Sequence, residues 1–127
     1  MSSRSVINEL CRKAHENSVN KGFWEAGDKK NIGEMICLIH SELSEAFEEY
    51  RNGHALNASY YKPCPPEKLE IPNARVLKPE GVPSELADVC IRVFDFCDAW
   101  DIDLGRAIEE KMAFNKLRAH KHGNKRC

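Results

Sequence analysis

The sequence predicts an all-α protein, a bundle of four to five helices that is completed by oligomerisation. Four segments carry apolar residues at the i, i+3, i+4 and i+7 positions that form one face of a helix. No comparable segment alternates apolar and polar residues with the period of a strand. All six prolines lie between Pro63 and Pro83, outside the helical segments. Because 127 residues form one domain with a modest core, association of chains would bury the remaining apolar surface.

The first two helices are predicted at residues 4–18 and 31–50. The first carries a short apolar stripe made of Ile7, Leu10, Cys11 and Ala14. The second carries a continuous stripe made of Ile32, Met35, Ile36, Ile39, Leu43, Ala46, Phe47 and Tyr50. Stripes of this kind are typical of helices that pack one face against a partner.

The third and fourth helices are predicted after the prolines. Ser84 follows Pro83 and is a good N-cap for the third helix, whose stripe is Leu86, Val89, Cys90, Val93, Phe94, Cys97 and Trp100. Asp103 is the N-cap candidate of the fourth helix, which runs to about Arg118. Its apolar positions are Leu104, Ala107, Ile108 and Met112.

Residues 51–82 form a long connection between the second and third helices, broken by proline and glycine. Within it, residues 69–71 and 75–77 flank a Pro-Asn turn, so that a small hairpin can form there. We therefore expect residues 1–127 to form a single helical domain, with residues 51–82 as a Pro-rich loop or insert.

Composition and charge exclude several classes of protein. With 19 basic and 20 acidic residues, the net charge of −1 gives no global field for nucleic acid or an anionic membrane. No apolar run approaches the ~18 residues needed to span a bilayer, and the first ten residues lack an apolar signal core, so we expect a cytoplasmic location. No cysteine pair has C-x-x-C spacing, which argues against structural zinc. Cys90 and Cys97 are expected to be buried, reduced thiols.

The second and third helices each carry two acids three residues apart, Glu42 with Glu45 and Glu85 with Asp88. Acids at i and i+3 project from the same side of a helix. Glu42 and Glu85 lie only about 20° outside the apolar arcs, whereas Glu48 lies on the solvated back face. Four like charges at the border of a bundle repel one another and are partly desolvated. A divalent cation resolves this conflict, because Mg²⁺ prefers oxygen ligands and keeps waters that phosphate can replace.

Two other interpretations of these acids stay open. A single E-x-x-E motif is common on helices and usually belongs to a solvated face. The chain would then be a non-catalytic helical dimer that acts as an interaction module. A di-iron bundle would need Glu-x-x-His motifs, and no Glu in the chain is followed three residues later by His. Iron therefore ranks below magnesium.

These motifs resemble the MazG-like all-α nucleoside triphosphate pyrophosphohydrolases, which include dCTP and dUTP pyrophosphatases and phosphoribosyl-ATP pyrophosphohydrolase. The resemblance begins with IHSELSEA at residues 39–46 and GVPSELADVCIR at residues 81–92. It continues in KMAFNKLR at residues 111–118 and HGNK at residues 122–125. The 39 residues between Glu45 and Glu85 exceed those of compact members, so the insert either caps the site or extends a subunit interface.

The resemblance implies Mg²⁺-dependent hydrolysis of a nucleoside triphosphate between its α and β phosphates, with Mn²⁺ as a substitute metal. The metal ligands and catalytic acids would be Glu42, Glu45, Glu85 and Asp88. The task that the resemblance implies is clearing unwanted (deoxy)nucleotides. The related proteins imply a homodimer or homotetramer, and we expect neither nucleic acid nor a membrane as a partner. An enzyme that cleaves phosphoribosyl-ATP is the alternative within the same superfamily.

The resemblance also assigns residues to the substrate. Lys111, Asn115 and Arg118, on one side of the fourth helix, would contact the phosphates, because Lys offers a point charge and Arg a fork of donors. His122 and Lys125 are weaker candidates. Lys21 and Trp24 would belong to the nucleotide pocket. The alternatives are a basic helix end that complements the helix dipole and a Trp that closes the edge of a core.

Overall fold

The computed structural model describes residues 1–25, 30–71 and 75–120. This part of the chain is mostly helical, as predicted, with four α-helices and a two-stranded antiparallel sheet. The helices are α1 (Ser3–Asn20), α2 (Ile32–Arg51), α3 (Val82–Ala99) and α4 (Leu104–Lys116). The strands are β1 (Tyr60–Pro63) and β2 (Leu77–Glu80), and a 3-10 helix at Pro66–Lys68 lies between them in sequence. The four helices therefore agree with the predicted segments to within about half a turn.

The N-termini of three helices are capped by side chains that suit this role. Ser2, Asn31 and Asp103 each accept a hydrogen bond from a backbone N–H three residues further on. Such a bond satisfies one of the donors that a helix leaves free in its first turn. The predicted cap at Asp103 is confirmed, with its Oδ1 3.0 Å from the backbone N of Arg106.

The predicted N-cap of α3 was wrong. The helix begins at Val82, and the Ser84 hydroxyl donates to the backbone carbonyl of Pro79 at 3.1 Å. Pro83 lies inside the first turn, where its missing N–H breaks no helical bond. Gly81 precedes the helix with φ of 108°, a conformation that favours glycine. A Cβ there would lie 2.6 Å from the carbonyl oxygen of Ala58, so the start of α3 is held against the preceding loop.

The predicted position of the hairpin was also wrong. The paired strands are β1 and β2, with Tyr60 opposite Glu80 and Pro63 opposite Leu77, rather than residues 69–71 and 75–77. Residues 72–74, which include the predicted Pro-Asn turn, lie outside the described residues. Pairing was missed because β1 and β2 each contain a proline and lack a clear alternation of apolar residues. Proline is tolerated here because each strand is at the edge of its sheet.

The chain divides into two compact units, which are called the terminal unit (Met1–Asp28 and Val93–Cys127) and the central unit (Lys29–Arg92). In the terminal unit α1 packs against α4, and Gly105 is buried at this junction. A Cβ on Gly105 would lie 2.5 Å from the carbonyl oxygen of Arg4, so only glycine allows this approach. The central unit contains α2, the β1–β2 hairpin and α3 as far as Arg92.

The described cysteines, Cys11, Cys37, Cys64, Cys90 and Cys97, are free thiols, while Cys127 lies outside the described residues. Cys97 is buried as expected, but Cys90 is exposed. The two cysteines are seven residues apart, which is about 10 Å along the helix. Their thiols therefore have different surroundings, although they lie on one helical face. Within the described ranges, no helix combines the length and the apolarity that crossing a membrane requires.

Candidate metal centre

The acids of α2 lie on one side of the helix because of their spacing. Glu42 and Glu45 are three residues apart, and Glu49 follows four residues later. Glu42 is buried with 8% of its surface exposed, Glu49 is half-buried, and Glu45 is exposed. The helix therefore presents a row of carboxylates over two turns. The first two were predicted from the sequence as ligands, and the third was not.

The structure brings Glu85 of α3 to the first two of these acids. One carboxylate oxygen from each of Glu42, Glu45 and Glu85 lies within 4.8 Å of the others. This cluster is called the first acid group. The predicted fourth member, Asp88, is exposed and does not join a metal-sized group among the described residues. Three of the four predicted ligands are thus assembled from two helices.

Arg92 compensates one charge of the first acid group. Its Nε donates to Glu42 Oε1 at 2.8 Å, and Arg92 lies about two turns after Glu85 on α3. Burial acts to raise the pKa of Glu42, but the hydrogen bond from Arg92 and those with the neighbouring glutamates outweigh it. The pKa of Glu42 consequently lies below its ordinary value, so this carboxylate stays ionised.

Glu85 has the opposite balance. Burial, and then the hydrogen bond and negative charge of Glu45, raise the pKa of Glu85 to about 7. Its Oε2 is buried and has no hydrogen-bond partner among the described residues. Near neutral pH this carboxyl group is therefore only partly ionised. A buried carboxylate oxygen without a donor is destabilising, and a proton or a cation would relieve it.

Asp88 lies close enough to sense the first acid group. Partial burial of its carboxylate, followed by the charge of Glu42, raises the pKa of Asp88, while Arg92 and Lys78 oppose this shift. Asp88 is thus exposed and electrostatically coupled to Glu42, and its carboxylate lies outside the group of three that Glu42, Glu45 and Glu85 form among the described residues.

A second acid group is formed by Glu49, Glu80 and Glu85, whose carboxylate oxygens also lie within 4.8 Å of one another. Glu85 belongs to both groups, so they are adjacent. Glu49 and Glu80 were not predicted from the sequence. The signal for Glu49 was its position four residues after Glu45. Nothing local in the sequence pointed to Glu80, because its position depends on the pairing of β2 with β1.

The hairpin contacts α2 through polar side chains. The Tyr60 hydroxyl lies 3.0 Å from both carboxylate oxygens of Glu49 and donates to that group. His54 stacks on the Tyr60 ring at 4.6 Å between centroids, and its Nε2 lies 3.4 Å from Glu49 Oε2. Glu49 is thereby held in place by two residues of the insert. The insert is thus part of the surroundings of the acids.

The donor set of both groups fits a hard divalent cation. All of the members are carboxylates, and neither His nor Cys joins a group of this kind in the described ranges. Carboxylate oxygens favour Mg²⁺, Mn²⁺ or Ca²⁺ over zinc and copper. Glu85 Oε2, which lacks a hydrogen-bond partner in the described part of the chain, is consistent with this fit, since a cation or a proton would satisfy it. The residues of the first acid group that could hold such a cation are Glu42, Glu45 and Glu85.

The predicted substrate residues belong to the terminal unit. Lys111 and Asn115 are exposed and lie one turn apart on α4, as predicted, with Lys111 Nζ 5.4 Å from the centre of the Phe114 ring. Arg118 is also exposed but lies beyond the end of α4, which stops at Lys116, so it does not continue that helical face. His122 and Lys125 lie outside the described residues.

Lys21 and Trp24 lie at and just beyond the C-terminal end of α1. Lys21 is exposed, while Trp24 is half-buried and donates from Nε1 to Asp95 at 3.0 Å and to Ser18 at 3.1 Å. Asp95 also lies 2.8 Å from His15 Nδ1. The indole is therefore oriented by hydrogen bonds, as the N–H of a half-buried Trp usually is.

Comparison of the chain with known protein families, with curated proteins and with solved structures found no match. The geometry of the acids and the chemistry of their side chains therefore carry the functional argument.

Proposed function

We propose that the protein is a Mg²⁺-dependent nucleoside triphosphate pyrophosphohydrolase. One observation carries the proposal: carboxylates of Glu42, Glu45 and Glu85, from two helices, lie within 4.8 Å of one another. The buried oxygen of Glu85, which has no hydrogen-bond partner among the described residues, supports it, because a cation would satisfy that atom. The resemblance of residues 39–46 and 81–92 to the MazG-like enzymes supplies the choice of reaction.

The reaction adds water to the α phosphorus of the triphosphate. A bond forms between the water oxygen and the α phosphorus, and the bond to the oxygen that bridges to the β phosphorus breaks. Pyrophosphate leaves with the electron pair of that bond, and the water proton passes to a carboxylate. Asp88 is our candidate for this base, because it is exposed, lies beside the acids and has a raised pKa.

The residues of the first acid group would hold the metal and keep the reacting groups in place. When bound, Mg²⁺ supplies charge neutralisation for the phosphates and polarises the bond that breaks. Arg92 keeps Glu42 ionised and fixes its orientation through the 2.8 Å hydrogen bond. This arrangement positions a carboxylate before substrate arrives, which lowers the reorganisation needed for the reaction.

The proposal includes substrate contacts in the terminal unit. Lys111 and Asn115 offer a charge and an amide from the same exposed face of α4. Arg118 would add a planar cation for phosphate, and Lys21 and Trp24 would take part in binding the nucleotide. The fixed indole of Trp24 suits contact with a flat base better than a mobile side chain would.

The association of chains is also part of the proposal. α2 leaves several large apolar side chains exposed, namely Ile32, Ile36, Leu43, Phe47 and Tyr50. Exposed apolar surface of this kind supports at least a homodimer, with a homotetramer as the larger alternative. The task that we propose is removal of unwanted (deoxy)nucleotides in the cytoplasm, with neither nucleic acid nor membrane as a partner.

A substrate panel with metal control tests the function. Purified protein is incubated with the ribo- and deoxyribonucleoside triphosphates and with phosphoribosyl-ATP, in millimolar Mg²⁺ or in EDTA, and released pyrophosphate is measured. We expect release from at least one nucleoside triphosphate that EDTA abolishes. Release from phosphoribosyl-ATP alone would favour the related biosynthetic enzyme.

The ion pair between Arg92 and Glu42 favours a second candidate, a non-catalytic helical interaction module, because it neutralises part of the cluster without a metal. In that case the protein would release no pyrophosphate from any member of the panel. Its melting temperature would also stay constant in millimolar Mg²⁺, since a ligand that does not bind the native state cannot stabilise it.

A further inference from the structure

The register of the hairpin places four side chains on one face. Tyr60 pairs with Glu80, and Lys62 pairs with Lys78. Side chains two residues apart on a strand point to the same face, and so do directly paired residues on neighbouring strands. The face therefore carries one row made of Tyr60 and Glu80 and a second row made of Lys62 and Lys78.

The first row contacts the acids. The Tyr60 hydroxyl donates to Glu49, and Glu80 lies with Glu49 and Glu85 in the second acid group. This face of the hairpin is therefore the one that meets the acid-bearing side of α2 and the first turn of α3. The lysine row follows on the same face, about 7 Å further along the strands.

Two lysines directly opposite each other are destabilising in a sheet, because like charges repel across the strands. Neither of them is buried, and Lys78 keeps 64% of its side chain exposed. Lys78 Nζ lies 3.2 Å from Glu80 Oε1, and Lys62 Nζ lies 5.7 Å from the centre of the Tyr60 ring. Both ammonium groups thus lean along the face towards the row that contacts the acids.

We infer that Lys62 and Lys78 bind the β and γ phosphates of the substrate, the part that leaves as pyrophosphate. The inference rests on the proposed function and assigns a substrate-binding role to the insert at residues 51–82. A cation in the acid groups would compete with Lys78 for Glu80 and free its ammonium for phosphate. Lysine suits this role, because a mobile point charge can follow a flexible phosphate chain.

Lysines on edge strands also prevent strands of different chains from pairing. That role requires charge at the edge, but it does not require the lysines to face each other beside carboxylates. It further predicts that replacing these lysines changes aggregation and leaves anion binding unchanged. The two roles therefore differ in a measurable quantity.

The test compares the single variants Lys62→Gln and Lys78→Gln and the double variant with wild type. Lys68→Gln is the matched control, because Lys68 is exposed in the same insert but lies in the 3-10 helix outside the sheet. Binding of inorganic pyrophosphate in the presence of Mg²⁺, and binding of Mg²⁺ alone, are measured by calorimetry. Circular dichroism confirms that each variant folds, and Lys78→Arg tests whether a cation at that position is sufficient.

We expect each single variant to weaken pyrophosphate binding roughly tenfold, the scale of one charge-assisted hydrogen bond to phosphate. The double variant should lose more, while Lys68→Gln and Lys78→Arg stay near wild type. Binding of Mg²⁺ alone should not weaken in any of them. The result for Lys62→Gln is easier to interpret, because Lys78→Gln also removes the ion pair between Lys78 and Glu80.

Unchanged pyrophosphate binding in the double variant would overturn the inference, and so would a wild-type protein that does not bind pyrophosphate with Mg²⁺. A fall equal to that of Lys68→Gln would overturn it as well. The measurement of pyrophosphate binding does not depend on hydrolysis. If wild type binds pyrophosphate through these lysines yet releases none from any triphosphate, the anion site is supported while the hydrolase proposal fails.

Discussion

Two carboxylates in different units of the chain have opposite electrostatic surroundings. Asp103, at the N-terminus of α4, accepts hydrogen bonds from Asn8, then Arg4, then the backbone N–H of Arg106, and these lower its pKa to about 2. Glu85 is surrounded by other acids, and its pKa is raised to about 7. Asp103 has the contacts of a group that stabilises the fold. Glu85 has the contacts of a group whose charge a proton or a cation would neutralise.

The difference distinguishes acids that stabilise the fold of this chain from acids that are candidate metal ligands. Where donors surround a carboxylate, as at the α1–α4 junction, the ionised form is stabilised and the group holds elements together. Where carboxylates surround one another, their ionised forms repel, and a proton or a bound cation reduces that repulsion.

Removing the charge of Glu85 should have the largest effect, and on activity rather than on stability. We expect Glu85→Gln to lower kcat/KM by more than about 100-fold, because changes to residues that merely support metal ligands already cost 10–100-fold. The free energy of unfolding without metal should stay equal or rise, since repulsion among the acids falls. Steady-state kinetics and urea unfolding measure the two quantities.

Glu48→Gln is the matched control for this variant. Glu48 is on the same α2 helix as the acids but is exposed and paired with Arg51 at 3.0 Å. We expect it to keep wild-type activity. Near-normal turnover in Glu85→Gln would contradict the metal centre, and an equal loss in both variants would mean that charge in general, rather than the cluster, is responsible.

At the α1–α4 junction the largest effect should be on stability. Gly105→Ala would place a Cβ 2.5 Å from the carbonyl oxygen of Arg4, and we expect the free energy of unfolding to fall by about 1–3 kcal/mol. Gly33→Ala is the control, because Gly33 is also the second residue of its helix and its Cβ would lie 3.2 Å from Asn31 Oδ1. Urea unfolding of both variants is the measurement.

Gly33→Ala should change the free energy of unfolding by less than about 1 kcal/mol, since alanine is favoured over glycine in helices. Equal behaviour of the two variants would mean that the close packing of α4 on Arg4 is not what holds the terminal unit together.

Metal binding should depend on pH through Glu85. Because the raised pKa means that Glu85 holds a proton below about pH 7, Mg²⁺ must displace it there. The apparent affinity for Mg²⁺ should rise by up to about tenfold per pH unit towards pH 7 and level off above it. Glu85→Gln should remove this slope, and titration calorimetry at several pH values measures it.

The same shift affects the metal-free protein. A carboxyl group whose folded pKa is raised stabilises the fold below its unfolded value, near 4.5, and loses that contribution as the pH rises through about 7. Metal-free wild type should therefore become less stable over this range relative to Glu85→Gln. A flat pH dependence of Mg²⁺ affinity would show that Glu85 is not a ligand.

Asp103 should give the smallest effect on stability, and the pH dependence of that effect should be opposite in sign to that of Glu85. Its pKa is lowered from 3.8 to about 2, so its stabilising contribution is complete above pH 4 and is lost as the pH falls towards 2. Asp103→Asn keeps a capping side chain without the charge. The variant should lose less stability than wild type between pH 4 and pH 2, as followed by thermal unfolding.

Several of these features were predictable from sequence. The helices follow from their apolar periodicity, and the Asp103 cap follows from residue type and position, since both signals lie within a few neighbouring residues. The acids of α2 and α3 were recognised because i, i+3 spacing fixes their side of the helix. The start of α3 was misplaced because the close approach of Gly81 to Ala58 involves residues far apart in sequence.

The hairpin and the second acid group were not predictable by the same reasoning. Tyr60 and Glu80 are twenty residues apart and meet only because β1 pairs with β2. Glu49 was within reach of the spacing argument, but its importance depends on Glu80, which the hairpin brings to it.

Local sequence patterns were sufficient to predict which segments are helical, which acids share a helical side, and that the candidate ligands are carboxylates rather than thiols or imidazoles. Only the tertiary structure decided that Glu85 joins both acid groups, that Asp88 stands outside them, and that Lys62 faces Lys78. The reason is that helix periodicity and capping are local properties of the chain. The distances between carboxylates on different elements depend on strand register and helix packing, which contacts between distant residues determine.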